Sequence, residues 1–231
     1  MLTMSVLMMV DIGMNTARSK SSKSTAAAKQ DELSDEELVF AYAKGNLRAF
    51  EQLYQRYRKP VYNYILRFIG SPEPAEELTQ EVFLRVIQKA GNFVQRAKFR
   101  TWLYTIARNL CVDFYRREKH RTTISFEKTV RYGTNYLVLG EIFEDTSLEG
   151  DGENILFRKE FQLAMRKAIL ELPEKQRAVF LLREVSSLPY KEIAIAVGEG
   201  ESTVKSQMRY AVKKLRKSLK KMGFSKKDLV C

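Results

Sequence analysis

The feature that most constrains this chain is the spacing of its apolar residues, which recur every three to four positions in two long stretches. That period belongs to helices packed on one face. In the first stretch, order is expected to begin at Ser34, whose S-x-x-E spacing with Glu37 is a capping box. Phe50, Leu53, Tyr54 and Tyr57 form a stripe that Val61, Ile65, Leu66 and Ile69 continue past a kink or break expected at Pro60. Ser71-Pro72-Glu73-Pro74 reads as a stop and restart, since proline is tolerated in a first helical turn. The next helix places Leu78, Val82, Val86 and Ile87 on its core face and ends at Gly91-Asn92. A long helix from about Phe99 to Arg117 buries Leu103, Ile106, Leu110 and Phe114.

In the second stretch the period resumes with Phe161, Met165, Ala168, Ile169 and Leu172. Leu172-Pro173-Glu174 restarts the chain into a helix carrying Val179, Phe180, Leu182 and Val185. Pro189 opens a short helix with Ile193, Ala194 and Val197, closed by Gly198 and Gly200, and Ser202 is expected to cap the final helix. A short helix, a glycine-containing turn and a longer helix read as a helix-turn-helix.

Between the stretches, no basic residue falls between Arg131 and Arg158, while Glu141, Glu144, Asp145, Glu149, Asp151 and Glu153 accumulate among four glycines. Such a run reads as an acidic, irregular linker. Residues 15–30 are small, polar and basic, as in a disordered tail. The expected organisation is a disordered extension over 1–30, a helical domain over 31–120, the linker over 121–157, a second helical domain over 158–222 and a tail over 223–231. The fold class is all-α, two small helical domains joined by a long flexible linker. Met1 to Val10 is apolar, but no Lys or Arg precedes Arg18 and no cleavage site follows, which argues against a signal peptide. A tail, or a true start at Met14, fits better, and the expected location is cytoplasmic.

Forty Lys+Arg against twenty-eight Asp+Glu leave a net charge of +12, which suits a polyanionic partner. One histidine, His120, and two cysteines, Cys111 and Cys231, exclude His-rich metal sites, zinc fingers and a disulfide framework. The composition favours a binding protein over an enzyme, with no cofactor, no metal and no small-molecule substrate expected.

The final helix is the sharpest local signal. At 100° per residue, Val204, Met208, Ala211, Leu215 and Leu219 share one sector. The opposite sector holds Ser206, Arg209, Tyr210, Lys213, Lys217 and Lys220, flanked by Lys205 and Arg216. From Lys205 to Lys227 there are ten basic residues and no acidic one. Such a helix either enters the DNA major groove or is a solvated amphipathic surface helix, and the preceding glycine turn favours the groove. In the first domain's last helix, Trp102, Arg108, Asn109, Asp113, Arg116 and Arg117 form a second polar group. Stacking aromatics, amides and arginines are what single-stranded nucleic acid requires. A core tryptophan beside a surface polar network is the competing reading.

Several motifs in order are more specific. Glu77-Leu78-Thr79-Gln80-Glu81-Val82-Phe83-Leu84, Phe99-Arg100-Thr101-Trp102-Leu103, and Ile106-Ala107-Arg108-Asn109 with Asp113 and Arg116 resemble region 2 of the sigma-70 family. Leu172-Pro173-Glu174-Lys175-Gln176-Arg177, Tyr190-Lys191-Glu192-Ile193-Ala194 and Ser202-Thr203-Val204-Lys205-Ser206 resemble region 4. With no segment matching region 1.1 or region 3, the chain resembles an extracytoplasmic-function (group 4) sigma factor over about Asp35 to Leu219.

The resemblance implies that Glu77, Leu78, Gln80, Glu81 and Phe83 grip the clamp helices of the largest subunit of core RNA polymerase, with the polymerase flap as a second contact. It implies that Asn92 and Lys98 bound a loop capturing a flipped base of the −10 element. Trp102, Arg108, Asn109, Asp113, Arg116 and Arg117 would face that element, and Thr203, Lys205, Ser206, Gln207, Arg209, Tyr210 and Lys213 the −35 element. An anti-sigma factor is a further partner of that class. Where the family often has Gly before Thr203 and Arg at 207, this chain has Ser202 and Gln207, which shifts the helix toward bidentate adenine readout. The alternative is a helix-turn-helix regulator with an N-terminal sensing domain.

Overall fold

The computed structural model describes residues 33–94, 98–124 and 152–224. The expected N-terminal extension, most of the acidic linker, the C-terminal tail and the centre of the 92–98 loop lie outside the described residues. Those described form eight α-helices: α1 (Asp35–Ala43), α2 (Leu47–Ile69), α3 (Pro72–Lys89), α4 (Phe99–Ile124), α5 (Gly152–Leu170), α6 (Glu174–Glu184), α7 (Tyr190–Val197) and α8 (Glu201–Lys221), with a 3-10 turn at Ala90–Asn92.

The capping box at α1 is formed on both sides. The N–H of Glu37 donates to Ser34 Oγ at 3.3 Å, and the N–H of Ser34 donates to Glu37 Oε2 at 2.8 Å. The preceding residue, Glu36, accepts the N–H of Phe99 at 2.7 Å and so fixes where α4 starts. Of the kink or break expected at Pro60, there is no break: α2 runs through it as one helix. Tyr57, Val61, Tyr64 and Ile65 are buried along one continuous face across it, and that burial outweighs the ~3 kcal/mol a proline costs inside a helix.

Three further expectations are corrected. Ile87 is 41% exposed instead of facing the core. The final helix is capped by Gly200, which leaves Ser202 inside the first turn. α4 runs past Arg117 to Ile124, and α5 begins at Gly152, within the stretch expected to be linker.

The first four helices and the last four also pack on one another. α7 lies against α4, while α5 and α6 lie against α2. Arg177 of α6 sits between the two groups, where it donates to the carbonyl of Phe68 at 2.8 Å, to that of Leu172 at 3.1 Å and to that of Leu170. Its guanidinium also lies 4.9 Å from the Tyr115 ring centroid and 5.4 Å from that of Phe68. Burial lowers its pKa from the ordinary arginine value, and Tyr115 and Glu174 oppose part of that shift.

Gly70 closes α2 with φ at +84°, and a Cβ there would stand 2.7 Å from Leu170 Cδ1. Gly45 has φ at +99° with open space around it. Gly45→Ala should therefore cost only left-handed strain, about 1–2 kcal/mol. Gly70→Ala should cost that strain plus displacement of Leu170, and so show a lower thermal midpoint than Gly45→Ala. Equal midpoints would mean that α5 does not rest on the end of α2.

Candidate nucleic-acid interface

α8 has a buried face of Val204, Met208, Ala211, Leu215 and Leu219, as its spacing predicted. Ser218 Oγ donates to Glu171 Oε2 at 2.6 Å and pins the helix's far half. Gly198 ends α7 at φ +70°, a left-handed conformation that suits glycine, and its N–H donates to Ala194 at 2.9 Å. This turn delivers α8 with its first half outward. Thr203, Lys205, Arg209, Tyr210 and Lys213 are exposed, and Ser206 and Gln207 are half-buried.

Two local contacts order that surface. Arg209 Nη2 donates to Ser206 Oγ at 3.2 Å, so the guanidinium leans toward the helix start. Lys205 pairs with Glu201 at 2.6 Å, one turn earlier. Tyr210 is a large exposed ring on the same face, which the packing of α8 does not require.

On α4, Asn109, Asp113, Arg116 and Arg117 are exposed and Arg108 is half-buried. Arg108 Nη1 donates to Asn109 Oδ1 at 3.0 Å, which fixes the amide so that its NH₂ points away from that bond. Trp102 is half-buried, its ring centroid 5.3 Å from Phe93 and 5.8 Å from Phe99. It is neither wholly core nor free-standing; an aromatic cluster holds it with one side open. Asn92 and Lys98 are exposed at either end of the loop before α4. Arg116 is engaged by Glu174 through Nε at 3.2 Å and Nη2 at 3.0 Å, and this hydrogen-bonded carboxylate raises its pKa above the ordinary arginine value.

On α3 the structure separates residues that the motif groups together. Glu77 and Gln80 are exposed, and half-buried Glu81 pairs with Arg85 at 2.8 Å. Leu78 and Phe83 are core residues; Phe83 is 4% exposed, 4.8 Å from the Tyr54 ring and 6.5 Å from that of Phe50. They seat the helix and do not stand on its outer face. The apolar groups that do stand there are Leu84, 51% exposed, and Ile87. Sequence reasoning missed both, although at 100° per residue Leu84 falls between Glu77 and Gln80.

Among the described residues no group of three His, Cys, Asp or Glu could hold a metal ion, and no helix is long and apolar enough to cross a membrane. Cys111 is fully buried in apolar surroundings that push its thiol pKa up, so it packs as a small hydrophobe.

Comparison with known proteins agrees with this geometry. The Sigma-70 region 2 model matches residues 53–121, and the Sigma-70, region 4 model matches residues 162–215. The ECF RNA polymerase sigma factor BldN of Streptomyces coelicolor is 30% identical over 194 residues, covering 84% of this chain and 69% of BldN. The ECF RNA polymerase sigma factor SigW of Bacillus subtilis is 31% identical over 178 residues, covering 77% of this chain and 92% of SigW. Among solved structures, CnrH in complex with the cytosolic domain of CnrY shares the fold with a TM-score of 0.58 at 21% identity, covering 80% of this chain and 97% of that one. The sigma factor RpoE of Bartonella quintana, in complex with the anti-sigma factor NepR, does so with a TM-score of 0.54 at 20% identity, covering 75% of this chain and 98% of that one. Both matched regions, in this order and on these helices, place the chain in the sigma-70 family: it is an RNA polymerase sigma factor of the extracytoplasmic-function type.

Proposed function

We propose that this sigma factor meets its partners through three helix faces. The outer face of α3, with Glu77, Gln80 and Glu81 around Leu84 and Ile87, binds the clamp helices of core RNA polymerase, and Leu78 and Phe83 hold that face in place. The second helical group meets the polymerase flap. The exposed strip of α4, with Trp102, Arg108, Asn109, Asp113, Arg116 and Arg117 and the flanking Asn92 and Lys98, engages the −10 element as it opens. The amide and arginines suit unpaired bases and phosphates, and the open side of Trp102 offers a stacking surface at the fork. The first half of α8 reads the −35 element. An anti-sigma factor is proposed as a regulatory partner on family membership alone. The chain supplies recognition and melting, and the polymerase performs the chemistry.

The observation that carries the promoter reading is the division along α8. Ser206, Arg209 and Tyr210 lie in its first half opposite buried Val204 and Met208, where a docked recognition helix presents side chains to base edges. Lys213, Lys217 and Lys220 lie further along the exposed side, within reach of phosphates. Arg209→Ala should cost about 1–3 kcal/mol and flatten preference at one −35 position. Lys217→Ala should weaken all sequences alike and lower the salt slope by about one unit. Binding of the reconstituted holoenzyme to a −35 library at several salt concentrations checks this. Identical sequence profiles and salt slopes for the two variants would contradict it.

A further inference from the structure

The polar strip of α4 is made almost wholly of hydrogen-bond donors. Arginine guanidinium and tryptophan indole groups only donate, which covers Trp102, Arg108, Arg116 and Arg117. Asn109 could do either, but its Oδ1 accepts Arg108 Nη1 at 3.0 Å. A guanidinium carries no acceptor, so the amide can face it only with its oxygen, and Asn109 is left to present its NH₂. Asp113 stands one turn further along, exposed on the same side of the helix. It makes no hydrogen bond or ion pair with any described residue, although Arg116 and Arg117 follow at three and four positions, the spacing of helical ion pairs. Its carboxylate is the acceptor of the strip.

A carboxylate at this place opposes DNA binding in general. Beside a phosphate it meets like charge, so it adds nothing to the hold of Lys98, Arg108, Arg116 and Arg117 on a backbone. What aspartate can gain from DNA is a hydrogen bond donated by a base. On the major-groove edge the donors are the N4 amine of cytosine and the N6 amine of adenine, whereas guanine and thymine present acceptors. Asp113 therefore gains a bond from C or A and meets repulsion from G or T. Its place along α4 decides which DNA it meets. It lies eleven residues beyond Trp102, about 16 Å at helical rise, while the loop bounded by Asn92 and Lys98 lies on the other side of Trp102. With Trp102 at the fork, the loop faces the opened strand, and Asp113 faces paired DNA, whose major groove admits a helix.

We propose that Asp113 is a specificity residue: it accepts a hydrogen bond from the exocyclic amine of a paired cytosine or adenine at the upstream edge of the −10 element and turns away guanine and thymine there. Arg108 is a positioning residue that keeps Asn109 from supplying a second acceptor. The inference rests on the assignment of α4 to the −10 element made above.

The test uses the full chain with core polymerase. A promoter library is randomised through the −10 element mapped from wild-type transcripts and through the pairs immediately upstream. Wild-type holoenzyme should favour A or C over G or T about tenfold at one position of one strand. Asp113→Asn keeps the size but can turn either its oxygen or its NH₂ to the base. Preference at that position should fall to about twofold or less, through tighter binding of the G and T sequences, with −35 preference and the thermal midpoint of the free chain unchanged. The preferred base is then replaced by its analogue without the amine, purine for adenine or 2-pyrimidinone for cytosine. The loss of affinity should be about tenfold for wild type and absent for Asp113→Ala, which cannot accept the amine. A merely structural Asp113 would change overall affinity and leave base preference in place. Full preference retained by Asp113→Asn, a wild-type preference for G or T at the position this variant alters, or equal losses for wild type and Asp113→Ala would overturn the proposal. A library yielding no −10 preference of any kind would instead overturn the promoter reading beneath it.

Discussion

Arg177→Met should lower the stability of the free chain by about 3 kcal/mol. Arg177 is 2% exposed and donates to three carbonyls, those of Phe68, Leu170 and Leu172. Methionine fills much of the volume but donates nothing, and each buried carbonyl left unpaired costs about 1–3 kcal/mol. Relief of the buried charge returns part of this, which keeps the sum near the lower end. With a urea slope of about 2 kcal/mol per molar, the midpoint should fall by roughly 1.5 M. Arg177→Lys keeps the charge but loses the planar fork, and should fall in between. An unchanged midpoint for Arg177→Met would mean that the contact with Phe68 does not join the two helical groups in solution.

Leu84→Asp should raise the dissociation constant for core polymerase by roughly 30- to 1,000-fold, the 2–4 kcal/mol of an interface hot spot. An apolar group standing half out of the surface, ringed by Glu77, Gln80 and Glu81, has no packing reason to be there. Because its side chain lies outside the core, the free variant should keep wild-type helicity and thermal midpoint. Phe83→Ala should behave in the opposite way: its ring packs on Tyr54 and Phe50, so truncation costs about 3–5 kcal/mol of stability. Titration of labelled chain with core polymerase, alongside thermal melts of both variants, separates contact from support. Wild-type affinity for Leu84→Asp would contradict the assignment of the α3 face.

Much of this arrangement was legible in the sequence where the signal is local. The Ser34–Glu37 box, the restarts at Pro72 and Pro173 and the buried sector of α8 all follow from neighbours within a turn or two. The errors came where a local rule met tertiary packing. Pro60 is a helix breaker by rule, yet a continuous buried face carries α2 through it. Ile87 fits the core period of α3 but stands 41% exposed. Ser202 has the chemistry of a cap, but the glycine turn ends two residues before it.

The candidate faces were legible for a different reason. Exposed polar residues at helical spacing have no packing role, so their clustering stands out on α4 and α8. The contact between the helical groups was not legible at all. Glu174 and Glu192 sit in the first turns of α6 and α7, where acidic residues are favoured anyway, so nothing local marks them as partners for Arg116 and Thr101. Pairings across 58 and 91 residues leave no period to read.

The most direct test of the central claim is transcription by core RNA polymerase supplemented with the full chain, with the 5′ ends of the transcripts sequenced. Start sites absent with core polymerase alone should appear, sharing one −10 and one −35 element upstream, and Arg209→Ala should relax preference only in the −35 element. Start sites no different from those of core polymerase alone, or sharing no upstream elements, would contradict it.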